Sequence, residues 1–261
     1  MKRLSQSEMR SLLEQMRAKF SGLEPRATLF TEPFRHCVID AFLPDWLAHQ
    51  CLDSFPNSAE NHWVRANDED IEIKARSNWS SEFDIPDGIV DAIRLLNSAP
   101  FLLALGNALQ IPKLVPDPYF SGGGLNVTQR GGLLDVHVDG NYHDATGLNR
   151  RVNVILYLNP GWEESWGGAL GLYDQTGETC VKKIAPIFNR LFAFDTHDFS
   201  FHGLPEAINF PLDVERKSVI LYYYTASPRE SNTVSVAEPH SALWKKRGLL
   251  DKRGNKTRQY S

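Results

Sequence analysis

The stretch LLDVHVDGNYH (133–143) reads as an alternating β-strand, with Leu133, Leu134, Val136 and Val138 as its apolar residues. Side chains two apart on a strand share a face. His137 and Asp139 are such a pair. A neutral imidazole nitrogen and a carboxylate oxygen on one face can bind one cation from one direction, and these donors suit a borderline first-row metal. A bare His-x-Asp carries little weight alone, so its reading depends on the rest of the chain.

At 261 residues the chain is long enough for one full hydrophobic core with a helical annex. With 42% hydrophobic and 23% charged residues, its composition is that of an ordinary soluble globular protein. A net charge of −4 argues against polyanion binding, so no nucleic-acid partner is expected. No apolar run reaches the roughly 18 residues of a transmembrane helix, and MKRLSQSEMR (1–10) lacks the apolar core of a signal peptide. Cys37, Cys51 and Cys180 give neither a disulfide framework nor a zinc spacing. A reducing, cytoplasmic setting without a membrane partner is expected.

The first segment is a helix. Ser5 and Glu8 form a capping box, Met9, Leu12, Leu13, Met16 and Phe20 repeat at helical spacing, and Gly22 and Pro25 end it. FRHCVIDAF (34–42) reads as a strand and PDWLAHQCLDSF (44–55) as a helix with Leu47, Ala48, Cys51, Leu52 and Phe55 on one face. Residues 56–86 are polar and irregular, hold Trp63, Arg65, Arg76 and Trp79, and read as a substrate lid because idle loops are rarely so long. Helices follow at 88–97 and 100–110, the second opened by Ser98 and Pro100. From 117 short β-type runs take over, at 125–129, 133–139, 151–159, 168–174, 179–185, 190–195, 199–203 and 217–226. That density of strands predicts a sandwich or barrel of the jelly-roll or cupin kind. The chain divides into a helical support region (1–116), a β core (117–226) and a basic tail (227–261). The tail holds WKKRGLLDKRGNKTRQY (244–260), either a solvated terminus or a contact for an anionic substrate or partner.

The chain has eight histidines. His36, His49 and His62 lie in the helical half, His143 in a polar loop and His240 in the tail. His197, in DTHD (195–198), reads as solvated. His202 stands at the end of a strand in FSFHG (199–203) and is the choice for a third ligand. Two histidines and a carboxylate make the facial triad of non-haem iron(II) oxygenases, which leaves three metal positions free.

Further motifs arrive in a telling order: HVD (137–139), RVNVILYLNPGW (151–162), WGGALGLYD (166–174), HGLPE (202–206) and RKSVILYYYT (216–225). On these the chain resembles the iron(II)- and 2-oxoglutarate-dependent dioxygenases, in their prolyl 4-hydroxylase-like branch, over roughly residues 118–226. The resemblance implies an α+β protein with a mainly β core, a double-stranded β-helix of the jelly-roll type. It implies Fe(II), 2-oxoglutarate and O2, with ascorbate in support, and hydroxylation of an unactivated C–H bond. His137, Asp139 and His202 would be the catalytic metal ligands. A carboxylate at 139 argues for hydroxylation over halogenation, with desaturation and ring closure left open.

The same resemblance points to the cosubstrate residues. The distal carboxylate of 2-oxoglutarate needs a buried cation, and the planar fork of arginine pairs with a carboxylate bidentately. Arg216 is that residue, with Ser218 on the same face and Lys217 on the other, after an inserted loop at 205–215. Along 151–158 one face carries Arg151, Asn153, Ile155 and Tyr157 and the other is wholly apolar, so the mixed face looks into the barrel mouth. Tyr157 would donate its hydroxyl to the distal carboxylate, Ile155 pack beside it and Asn153 sit nearer the metal. Tyr222 and Asn126 complete the pocket.

The substrate is either a prolyl residue or a small molecule such as a free amino acid or a natural-product intermediate. The loop NYHDATGLNRR (141–151) favours something polar or anionic. Two other classes stay open: a catalytically silent relative used for binding, and a zinc-dependent hydrolase built on the same three residues. Arg216, Ser218 and Tyr157 argue against both, since neither needs a deep carboxylate clamp. The oligomeric state is open.

Overall fold

The computed structural model describes residues 2–21, 29–60 and 63–255. Gly22, Pro25, His62 and the tail residues 256–261 lie outside the described residues. The elements in chain order are α1 (Gln6–Ser21), β1 (Leu29–Phe30), β2 (His36–Ile39), α2 (Asp45–Asp53), β3 (Trp63–Asp68), β4 (Glu72–Ser77), α3 (Val90–Leu96) and α4 (Ala99–Leu109). They continue with β5 (Val115–Pro116), β6 (Gly124–Thr128), β7 (Leu133–Val138), β8 (Asn149–Tyr157), β9 (Leu170–Tyr173), β10 (Cys180–Ile184), β11 (Arg190–Asp195), β12 (His202–Leu204), β13 (Arg216–Thr225) and β14 (Leu243–Trp244). The capping box opens α1: the Glu8 N–H donates to the Ser5 hydroxyl (3.3 Å) and the Ser5 N–H to the Glu8 carboxylate (2.9 Å).

The strands form one antiparallel sheet in the order β1-β2-β11-β8-β13-β6-β4-β7-β12-β9-β10, with β14 added to β7, β3 to β4 and β5 to β13. β4 joins its two halves. It pairs with β6 through Ala75↔Val127 and with β7 through Glu72↔Leu134, so the sheet curls over on itself. This is the double-stranded β-helix, mainly β with few helices.

Both faces of the central strands are covered. On β8, residues 151–157 are all buried. Val152, Val154 and Leu156 pack outward, with Leu125, Val127 and Val219, against Leu96, Phe101 and Leu105 of α3 and α4. The Tyr223 hydroxyl donates to the Leu96 carbonyl (3.0 Å) and ties β13 to α3. Ile155 and Tyr157 point the other way and join Phe34, Leu172, Phe192, Phe194 and Leu204 inside the curl. Each fully buried side chain of this size contributes roughly 1.5–3 kcal/mol.

Several expectations need correction. Residues 56–86 are not irregular: they hold the β3–β4 hairpin, and β4 lies within the sheet. Its alternation was hidden because Glu72, Lys74 and Arg76 face a polar interior instead of an apolar core. His36 sits on β2, buried, within the stretch 34–42 that reads as a strand. The tail through residue 255 is not a solvated terminus. β14 extends the sheet beside β7, with Trp244 opposite His137, and the Lys245 N–H donates to the Val136 carbonyl (2.9 Å).

A buried ionic knot anchors this segment. Asp198 accepts from Arg229 Nη1 (2.9 Å), from the Ser235 and Val236 amides (2.7 and 2.9 Å), and lies 3.2 Å from His240 Nε2. Burial pushes its carboxyl up, but the bonds from His240, Val236 and Ser235 outweigh that and hold it at about 2. Arg229 also donates to the Arg150 carbonyl (3.0 Å), which fixes the loop after Asp139 against the one before His202.

Candidate active site

β7 and β12 pair with His137 directly opposite His202, their ring centroids 4.4 Å apart. Asp139 stands just past the end of β7. His137 Nε2 lies 3.8 Å from Asp139 Oδ1, and His202 Nε2 lies 3.8 Å from Asp139 Oδ2. All three residues are buried. Each Nδ1 bonds a main-chain carbonyl two residues earlier, Asp135 O at 2.8 Å and Ser200 O at 2.9 Å. A carbonyl can only accept, so Nδ1 carries the proton and the Nε2 lone pairs point at the shared centre, as in histidines that hold metals. Among the described residues this trio brings its donor atoms within 4.8 Å of one another.

The electrostatics suit a cation. Burial, helped by the neighbouring His202, pushes the His137 imidazole down to about 3, so it is neutral at ordinary pH. Burial likewise lowers His202. Burial would raise Asp139, but Arg150, His202 and His137 outweigh it and hold the carboxyl well below the usual range. A neutral pair of imidazoles with an ionised carboxylate is the donor set of iron(II) oxygenase sites.

Asn153 Nδ2 donates to Asp139 Oδ2 (3.1 Å), which places it by the trio. Such outer partners are worth about tenfold to a hundredfold in metal affinity. Asn153→Ala should therefore weaken Co(II) binding by about tenfold or more in a spectroscopic titration. Unchanged affinity would remove Asn153 from the site.

Two neighbours of the trio escaped the sequence reading. The Arg150 guanidinium lies 3.3 Å from Asp139 Oδ2 and 3.4 Å over the ring of half-buried Tyr222. Strict alternation placed Arg151 beside Asn153. The β8–β13 register shifts between Tyr223↔Val152 and Tyr224↔Arg150, and this bulge turns Arg150 inward, while Arg151 lies 3.8 Å from Asp195. No feature of the sequence announces that bulge. Trp244 stacks on the His137 ring, centroids 4.5 Å apart and planes 24° apart. Its one sequence signal is an aromatic residue in an otherwise basic tail.

His197 is half-buried and not solvated, and its Nδ1 accepts from the Phe199 N–H (3.1 Å). His143 is buried, and its Nε2 contacts Asp117 Oδ1 at 2.8 Å. Neither joins the trio.

The expected cosubstrate residues stand in one row. Asn126 pairs with Ser218, and Ser218 with Tyr157, across β6, β13 and β8. Arg216 is two residues from Ser218 on the same face and is buried. Its Nε donates to the Gly168 carbonyl (2.8 Å), and its guanidinium lies 5.2 Å over the Tyr157 ring. No carboxylate among the described residues pairs with it. The Tyr157 hydroxyl, Ser218 Oγ and Asn126 Nδ2 are all buried without a hydrogen-bond partner. Orphaned buried polar groups cost roughly 1–3 kcal/mol each, so such a cluster around a buried cation calls for an anionic ligand. A dicarboxylate such as 2-oxoglutarate fits the row and the charge. Ile155 packs with Tyr157 in the inner apolar cluster, and Lys217 faces the opposite side, 5.3 Å over the Phe55 ring.

Residues 123–224 match the family model described as the 2OG-Fe(II) oxygenase superfamily. That match spans the β core, from just before β6 to β13. Over 89 residues it is 34% identical to prolyl 3-hydroxylase OGFOD1 of Mus musculus, a match covering 33% of this chain and 16% of that protein. The Xenopus laevis protein of the same name is 39% identical over 71 residues, covering 26% of this chain and 14% of its own length. The chain thus matches less than a fifth of the length of these curated relatives. Its fold is similar to a prolyl hydroxylase from Trichoplax adhaerens, solved with a hypoxia inducible factor oxygen degradation domain peptide fragment. The TM-score is 0.55 at 19% identity, over 85% of this chain and 94% of that one. A Pseudomonas putida prolyl-4-hydroxylase gives the same score and identity over 81% of this chain and 100% of its own.

Proposed function

We propose that this oxygenase hydroxylates a prolyl residue of a polypeptide, using iron(II) held by His137, Asp139 and His202 and 2-oxoglutarate held by Arg216, Tyr157 and Ser218. The observation that carries the reading is the conjunction on one inner face of a neutral two-histidine, one-carboxylate trio and an unpaired buried arginine ringed by orphaned polar atoms. A zinc hydrolase or a silent binding protein has no use for the second half of that pair. The prolyl assignment draws on the prolyl 3-hydroxylase relatives.

When bound, iron(II) with 2-oxoglutarate and O2 supplies the oxidising power for an unactivated C–H bond. The chain's own residues do the rest. The trio would hold the metal through two imidazole Nε2 atoms and the Asp139 carboxylate. Asn153 and Arg150 occupy Asp139 Oδ2 and so restrain the carboxylate's rotation. Arg216 would supply the charge and Tyr157 the hydroxyl that meet the distal carboxylate of the cosubstrate. Phe192, Phe194 and Leu172 close the interior behind them and exclude water.

The test is incubation with Fe(II), 2-oxoglutarate, ascorbate and O2 alongside a panel of proline-containing peptides and a panel of free amino acids, followed by mass spectrometry. A prolyl residue gaining one oxygen atom, with succinate formed in equal amount, is the expected result. Oxygen gained by a free amino acid and by none of the peptides would overturn the prolyl assignment. Absence of succinate under every condition would overturn the oxygenase reading itself.

A further inference from the structure

The mouth of the site is more positive than holding a metal and a cosubstrate requires. Arg76 on β4 pairs with Asn126, so the face of β4 that carries Arg76 also carries Lys74 and Glu72 and looks into the curl. Lys74 is half-buried there, its ammonium 2.8 Å from Glu72 Oε1. Arg150 stacks on Tyr222 with its Nη2 3.3 Å from Asp139 Oδ2, while its Nε is buried without a hydrogen-bond partner. Lys252, from the segment after β14, also bonds Glu72. The carboxylates facing Lys74, Lys252 and Arg150 are Glu72, shared by the two lysines, and Asp139 of the trio. The fields meet at the two histidines: the charges of Lys74 and Arg150 both act on His202, and that of Lys74 also on His137. Arg216, on the row with Tyr157, is a separate cation with its own ligand.

We propose that Lys74 and Arg150 form a two-sided anion clamp at the mouth, and that the substrate is an acidic peptide with an Asp or Glu carboxylate flanking the target proline. This rests on the prolyl hydroxylase reading above and adds the chemistry of the substrate to it. A flanking carboxylate would reach the unfilled Arg150 Nε from one side and Lys74 from the other. It would draw Lys74 away from a Glu72 that keeps Lys252 as its partner. The arrangement discriminates by charge: an acidic flank is attracted, a neutral one gains nothing, and a basic one meets two like charges in a partly desolvated mouth.

The test uses three fluorescein-labelled peptides that differ only in the residues on both sides of one proline: Glu, Gln or Lys. Each is titrated by anisotropy into the full chain loaded with Mn(II) and 2-oxoglutarate under argon. The Glu peptide should bind about tenfold tighter than the Gln peptide, the scale of one charge-assisted hydrogen bond in a partly buried site. The Lys peptide should bind weakest, and the spread should narrow as salt rises. Lys74→Gln should remove most of the Glu preference, and Lys74→Arg should keep it. Neither should move 2-oxoglutarate affinity, read from the iron(II) charge-transfer band, which a general loss of structure would lower. Equal binding of the three peptides, no binding by any, or an undiminished Glu preference in Lys74→Gln would overturn the clamp. A wild-type protein with no charge-transfer band at all would overturn the underlying functional reading instead.

Discussion

Replacing His202 with Ala should leave a folded protein whose 2-oxoglutarate turnover is down by at least about a hundredfold, since outer partners of a metal ligand alone are worth up to that much. The ring is buried and its Nδ1 bonds the Ser200 carbonyl, so some stability is lost too, about 1–3 kcal/mol for the unpaired acceptor. Circular dichroism separates the two effects, and His202→Gln, which keeps much of the volume, guards against a cavity artefact. His197→Ala is the contrasting variant. Its ring serves its own turn through the Phe199 amide, so turnover should persist. The reverse pattern, with His202→Ala active and His197→Ala dead, would displace the proposed third ligand.

Arg216→Ala should weaken 2-oxoglutarate by about tenfold to several hundredfold. A buried charge-assisted bond is worth roughly 1.5–3 kcal/mol, and stranding its partner costs more. Tyr157→Phe removes only the hydroxyl and should cost about 0.5–1.5 kcal/mol, a few-fold in affinity. Neither residue belongs to the trio, so metal affinity without cosubstrate should stay put in both variants. If Arg216→Ala keeps wild-type cosubstrate affinity, the distal carboxylate sits elsewhere. Arg151 is then a poor substitute because it already faces Asp195, and Lys217 is worse because it lies on the outer face.

The β core was readable because its central strands are covered on both faces and bounded by Gly, Pro, Asn and Asp. The runs at 125–129, 133–139, 151–159 and 217–226 each lie within a residue or two of β6, β7, β8 and β13. β4 was not readable, because a strand whose inner face carries Glu72, Lys74 and Arg76 gives no apolar period. β14 was too short to stand out, and its packing comes from tertiary pairing with β7, not from any local preference. The proximity of His137 and Asp139 in the candidate trio followed from side-chain parity, but the choice of His202 over His197 did not. That choice depends on the His202↔His137 pairing, a long-range register that only the folded sheet displays. Arg150 was lost for a related reason: one bulged residue inverts the parity on which the reading of 151–158 relied.

The central claim, that one inner face holds iron(II) and 2-oxoglutarate together, is tested most directly by adding 2-oxoglutarate to the iron(II)-loaded protein without oxygen and following the metal-to-ligand charge-transfer absorption. A band that saturates at one 2-oxoglutarate per iron, vanishes in His202→Ala and shifts to higher cosubstrate concentration in Arg216→Ala is the predicted result. A wild-type protein that binds iron(II) yet develops no band at any 2-oxoglutarate concentration would contradict it.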